Sequence, residues 1–152
     1  MISTPNFLRS AAIISALVMF AGMADAHVTI QPKESTVGIS VAYTIRVPTE
    51  KFVPTVRIEV EFPAALSVSS FDAKPGWKIE SNKDATGKIV STVLTGSIPP
   101  GQSASFTFTA TNPREGGKLS WKAIQIYEDG SKSEWTGGEG SRTPAPTVEI
   151  KK

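Results

Sequence analysis

Thr36-Val37-Gly38-Ile39-Ser40-Val41-Ala42-Tyr43-Thr44-Ile45-Arg46-Val47 is the stretch on which the fold reading turns. Val37, Ile39, Val41, Tyr43, Ile45 and Val47 fall on one side of a period-two pattern, with Gly38, Ser40, Ala42, Thr44 and Arg46 on the other. Successive side chains of a strand point to opposite faces, so this alternation predicts a half-buried β-strand over 36–47, closed by Pro48. The pattern recurs downstream. Val56, Ile58, Val60 and Phe62 alternate with Arg57, Glu59 and Glu61 until Pro63, and Phe106, Phe108 and Ala110 alternate with Ser and Thr.

Shorter strands are expected over 66–71, 77–80 and 89–94, separated by Lys74-Pro75-Gly76 and by a polar turn containing Gly87. Ile98-Pro99-Pro100-Gly101-Gln102 reads as a tight connection. Residues 119–127 are apolar on both faces, with Leu119, Trp121 and Ala123 on one and Ile124 and Ile126 on the other. That predicts a single central strand. Glu128-Asp129-Gly130 then forms a hairpin turn into Ser133-Glu134-Trp135, and residues 147–150, after Pro144-Ala145-Pro146, read as a last edge strand. Upstream, Val28-Thr29-Ile30-Gln31 is a short alternating segment that Pro32 ends. Many short strands with Gly/Pro turns, and no helical periodicity after residue 26, predict an all-β, immunoglobulin-like antiparallel sandwich. A barrel has the same periodicity and stays open as the alternative.

The first 26 residues differ from the rest. Arg9 is the only charge before Asp25, the run from Ala11 to Met23 is apolar apart from Ser15, and Ala24 and Ala26 form a small-x-small site. These are the features of a cleaved signal-peptide helix. The apolar run is shorter than the ~20 residues that span a bilayer. Cleavage between Ala26 and His27 is expected to leave residues 27–152 as one periplasmic or secreted domain. With no cysteine and no later apolar run, neither a lipid nor a membrane anchor is expected on it.

Composition narrows the chemistry. The formal net charge is +2 and the basic residues are scattered singly, which argues against a nucleic-acid partner. The chain has no cysteine, and its methionines are Met1, Met19 and Met23, so residues 27–152 carry no sulfur. Thiol catalysis is excluded. Soft sulfur ligands select Cu(I), so a metal site here must use nitrogen and oxygen.

His27 is the only histidine, and cleavage would make it the first residue. A terminal histidine offers its free α-amine and its ring Nδ1, which close a chelate on one ion, and nitrogen and oxygen donors suit tetragonal Cu(II). The amide nitrogen of Val28 could be a third donor, since residue 28 is not proline. Glu50, in the loop after the strongest strand, is the carboxylate that could fill the open side; Glu34 is also available, and either could be simply solvated. Trp135, among glycines after the hairpin, reads as a surface-edge indole that either covers a metal or merely packs. Trp121 fits the core and Trp77 packs under a turn.

Ala26-His27-Val28-Thr29-Ile30-Gln31-Pro32, Tyr43 through Val47-Pro48-Thr49-Glu50, Pro75-Gly76-Trp77, and Gln125-Ile126-Tyr127-Glu128-Asp129-Gly130 with Trp135 and Pro144-Ala145-Pro146 stand in an order that resembles the YcnI-like extracytoplasmic copper-binding domain. The resemblance covers residues 27–150. It implies an immunoglobulin-like fold and a monohistidine brace on Cu(II), with the roles of histidine, carboxylate and nearby tryptophan falling on His27, Glu50 and Trp135. It also implies a non-enzymatic role in copper trafficking, buffering or delivery beside other periplasmic copper-handling proteins. Two rivals remain at this stage: a structural or adhesive sandwich module without metal, and an oxidative copper enzyme of the polysaccharide monooxygenase type. The latter needs a second histidine, which the chain lacks.

Overall fold

The computed structural model describes residues 27–152, so the signal helix and cleavage junction expected over 1–26 lie outside the described residues. Twelve strands follow: β1 (Thr29–Gln31), β2 (Glu34–Thr36), β3 (Ser40–Pro48), β4 (Thr55–Glu61), β5 (Ser67–Phe71), β6 (Lys78–Lys83), β7 (Ile89–Ile98), β8 (Ser103–Thr111), β9 (Gly117–Ser120), β10 (Lys122–Tyr127), β11 (Lys132–Trp135) and β12 (Thr147–Lys151). The described residues contain no helix.

One nine-stranded sheet runs β1-β3-β8-β5-β7-β4-β10-β11, with β6 paired to β7 beside that path. β5 and β7 meet only where Val68 faces Ile89, and at this thin joint the sheet doubles back. Inward side chains from both halves join one buried cluster, Tyr43, Ile45, Phe106 and Phe108 from one layer and Ile58, Leu94 and Ala123 from the other. Burying each large apolar side chain contributes roughly 1.5–3 kcal/mol, and the two inner faces supply that area to each other. A smaller sheet, β2-β12-β9, completes the molecule. The architecture is the immunoglobulin-like sandwich that the alternation predicts.

Three boundaries differ from expectation. The strand expected over 36–47 begins only at Ser40, because Gly38 turns the chain with φ of 70°. Residues 34–36 pair in the small sheet instead, and Ile39 is left 47% exposed. The single strand expected over 119–127 is two strands in two sheets. β9 pairs with β12, β10 lies between β4 and β11, and Trp121 at the crossing is fully buried while its backbone N–H donates to the Pro146 carbonyl. The last strand is not at an edge, since β12 lies between β2 and β9.

Two details set up the site. A bulge between Thr55 and Arg57 interrupts the alternation of β4, so Thr55 turns fully inward and Val56 is only half-buried. β10 keeps its alternation, and the inward series Ala123, Gln125, Tyr127 places a polar side chain in the core. Trp77 packs edge-on against Phe106 at 4.8 Å between centroids, in the expected packing role. It lies over Gly96, where an added Cβ would fall 2.4 Å from the indole.

Candidate metal centre

β1 is an edge strand antiparallel to β3, with Thr29 opposite Arg46 and Gln31 opposite Thr44. Carried two residues further, that register sets His27 level with Pro48, two positions before Glu50. Val28 and Ile30 are buried and pin this segment to the core. The imidazole of His27 lies against the indole of Trp135, with ring centroids 5.8 Å apart and planes inclined at 59°. Trp135 ends β11 and is 6% exposed, so it is a core indole beside the histidine and not a surface-edge one. The reason is that β11 pairs with β10 opposite Ala123, which leaves room for the larger ring on the inward face.

The orientation of that indole is fixed by Gln125, which is wholly buried. Trp135 Nε1–H donates to Gln125 Oε1 at 3.0 Å, and Gln125 Nε2 donates to the Pro48 carbonyl at 2.8 Å and to Thr55 Oγ1 at 2.6 Å. Thr49 and Thr55 hydroxyls are 2.7 Å apart. An indole nitrogen only donates and a carbonyl only accepts, so the amide has one chemically consistent orientation. Sequence reasoning missed Gln125, Thr49 and Thr55. A signal for Gln125 was present in the strand parity, since it shares its face with Trp121 and Ala123.

Glu50 is exposed on the loop between β3 and β4. Around it, Thr49 N–H donates to the Gln102 carbonyl, the Gly101 N–H donates to the Thr49 carbonyl, and Lys51 Nζ donates to Ser131 Oγ at 2.8 Å while lying 4.4 Å over the Tyr127 ring. Burial pushes the Tyr127 phenol above its ordinary range, opposed by its hydrogen bond with Ser133, and the charges of Glu50 and Asp129 push it further. Phe52, two residues past Glu50, is fully exposed. Glu34 stands in β2, where its carboxylate pairs with Lys151 at 2.7 Å across to β12.

On its other side His27 borders a cleft of about 560 Å³, walled by Val28, Lys118, Ser120 and the 137–141 loop. Among the described residues there is no group of three or more His, Cys, Asp or Glu side chains able to hold a metal. A centre at His27 would have to draw on main-chain nitrogen as well as side chains. The donor chemistry fits that requirement. Imidazole, the amine that the expected cleavage would free, the Val28 amide and a carboxylate are nitrogen and oxygen donors of the kind Cu(II) takes in tetragonal sites.

An immunoglobulin-like sandwich with a histidine–indole pair at the start of its edge strand is the class that fold and site define. Residues 27–150 match the model of a domain of unknown function, DUF1775. Over 141 residues the chain is 38% identical to the copper-binding protein CutI of Bacillus subtilis (strain 168), covering 91% of this chain and 69% of that protein. The protein is a member of this DUF1775, YcnI-like family. Among solved structures, an uncharacterized protein from Nocardia farcinica with an immunoglobulin-like fold superposes with a TM-score of 0.70 at 28% identity, covering 84% of this chain and 99% of that one. A non-cellulosomal cohesin from Archaeoglobus fulgidus superposes with a TM-score of 0.52 at 11% identity, over 83% of this chain and 91% of that one, a likeness of fold alone.

Proposed function

We propose that the protein is exported, is cut between Ala26 and His27, and then binds Cu(II) at its new N-terminus without turning over a substrate. The α-amine and Nδ1 of His27 chelate the ion, the Val28 amide nitrogen is a third donor, and Glu50 supplies a carboxylate. Trp135 covers the face of the centre next to the imidazole. Before cleavage the α-nitrogen of His27 is the Ala26–His27 amide, a poor ligand. Afterwards it is an amine with a pKa near ~8, whose proton copper displaces at modest cost around neutrality. Processing thus creates the site.

The observation that carries this reading is the His27–Trp135 ring contact at 5.8 Å, level with the strand end that leads to Glu50. Kinship with a protein named for copper binding supports the choice of metal. The role is trafficking, buffering or delivery of copper in the periplasm or outside the cell, with other copper-handling proteins as partners. The test is isothermal titration with Cu(II) of two proteins, one starting at His27 and one retaining a single residue before it. The extended protein is expected to lose most of its affinity. Superimposable titrations would end the proposal.

A further inference from the structure

His27 and Trp135 belong to different layers of the sandwich. His27 leads into β1, which is hydrogen-bonded to β3, whereas Trp135 ends β11, which is paired to β10 in the opposite layer. The main-chain ladders of β10 run to β4 and β11, and so do not reach β3. Gln125 makes the link that those ladders lack. Its carbonyl holds the indole, and its amide hydrogens reach the Pro48 carbonyl across the layers and Thr55 in β4. The Thr49–Thr55 hydroxyl pair adds a second tie at the same level.

We propose that Gln125 is a positioning residue for the copper centre: without touching the metal, it sets the Trp135 indole against His27 and holds the Pro48–Glu50 strand end in place. The proposal rests on the reading of His27 as the copper ligand. The chemistry is that of a fully matched buried amide. Each of its polar groups has a partner, and the bonds stand or fall as a set because an orphaned member would be left in the core. The ladders already join β10 to β4 and β11. What Gln125 adds is the registration of the indole-bearing hairpin against the layer that carries the histidine. Groups that orient metal sites from behind the ligands typically cost ~10–100-fold in affinity when removed.

The test uses the processed protein with Gln125→Met and Gln125→Glu. Exchange of the Trp135 indole N–H is read by ¹⁵N NMR on copper-free protein, with Trp135→Phe identifying the signal. The Cu(II) spectrum by electron paramagnetic resonance and the rate of copper loss to a chelator are read on the loaded protein. Gln125→Met is expected to speed indole exchange, alter the Cu(II) hyperfine pattern and release copper about tenfold faster. Gln125→Glu has the same shape and keeps the acceptor for the indole, but a carboxyl carries at most one O–H, so at least one of the two donations to Pro48 and Thr55 is lost. It should preserve indole protection yet still release copper faster, and it keeps the idea testable if Gln125→Met does not fold. A folded variant with the wild-type spectrum and release rate would overturn the positioning role. If the unaltered protein binds copper equally well with a residue added before His27, the parent reading fails first and takes this one with it. That result is seen without any change at Gln125.

Discussion

Two carboxylates are candidates for the open side of the proposed His27 centre, and their surroundings differ. Glu34 is engaged with Lys151 on the small sheet, whereas Glu50 follows directly on the strand end that the Gln125 amide holds. Glu50→Gln is therefore expected to weaken Cu(II) binding while changing stability by no more than about 0.5 kcal/mol, the usual range for an exposed substitution. Glu34→Gln should leave the affinity nearly unchanged. Titration calorimetry and urea unfolding on the two variants check both halves, and a larger affinity loss from Glu34→Gln would move the carboxylate role to β2. Part of the proposed site could be picked out by position. A lone histidine after an expected cleavage site and a tryptophan after a hairpin stand out in the sequence, and the structure sets their rings side by side. The depth of Trp135 was not legible, because burial of its indole depends on Gln125 ten residues earlier in the chain and on Pro48 in another layer.

Among the elements, the β10–β11 hairpin carries both Gln125 and Trp135, and its turn has a titratable anchor. Asp129 Oδ1 accepts hydrogen bonds from the hydroxyl and the backbone N–H of Ser131. These bonds hold the Asp129 carboxyl below its ordinary range, and Lys51 adds to them while slight desolvation opposes. A carboxyl whose folded pKa is depressed contributes stability above its unfolded value, near pH ~4, and that contribution disappears as the pH falls through the folded value. Asp129→Asn cannot titrate, so its urea midpoint should decline less than that of the wild type between pH 5 and 2, as rough limits of this window. Parallel curves for the two proteins would show that the turn does not distinguish the charged from the neutral carboxyl. Strand identity was mostly readable from period-two alternation, because that signal is local. Sheet membership was not. Nothing in the run Leu119–Tyr127 marks the change of partners at Trp121, and the bulge at Thr55 depends on pairing with β7.

For the whole molecule, composition bears on which metal the proposed site would prefer. Residues 27–152 present imidazole, amine, amide and carboxylate donors and no sulfur. Copper tops the affinity order of divalent ions for such donors, so Cu(II) is expected to bind more tightly than Ni(II) or Zn(II) and with the spectrum of a tetragonal centre. Cu(I), which favours thiolate and thioether, should be held poorly, and reduction should release the ion to a sulfur-rich acceptor. Competition with a chromophoric chelator under reducing and oxidising conditions measures both affinities. A Cu(I) affinity equal to the Cu(II) affinity would mean that the ligands lie elsewhere in the fold.

β3 also serves as a ruler. At its Pro48 end lie the His27 level and Glu50; beyond its Ser40 end, Val37 receives the chain's far terminus through a hydrogen bond to the Lys151 carbonyl. The nine residues of β3 span roughly 27 Å at the usual rise of a strand. A linker joined to residue 152 therefore leaves from the opposite pole, and a protein grafted to a bead or surface by that linker would hold the His27 pole outward. Grafting through the amino end would bury the same pole against the support and block the amine.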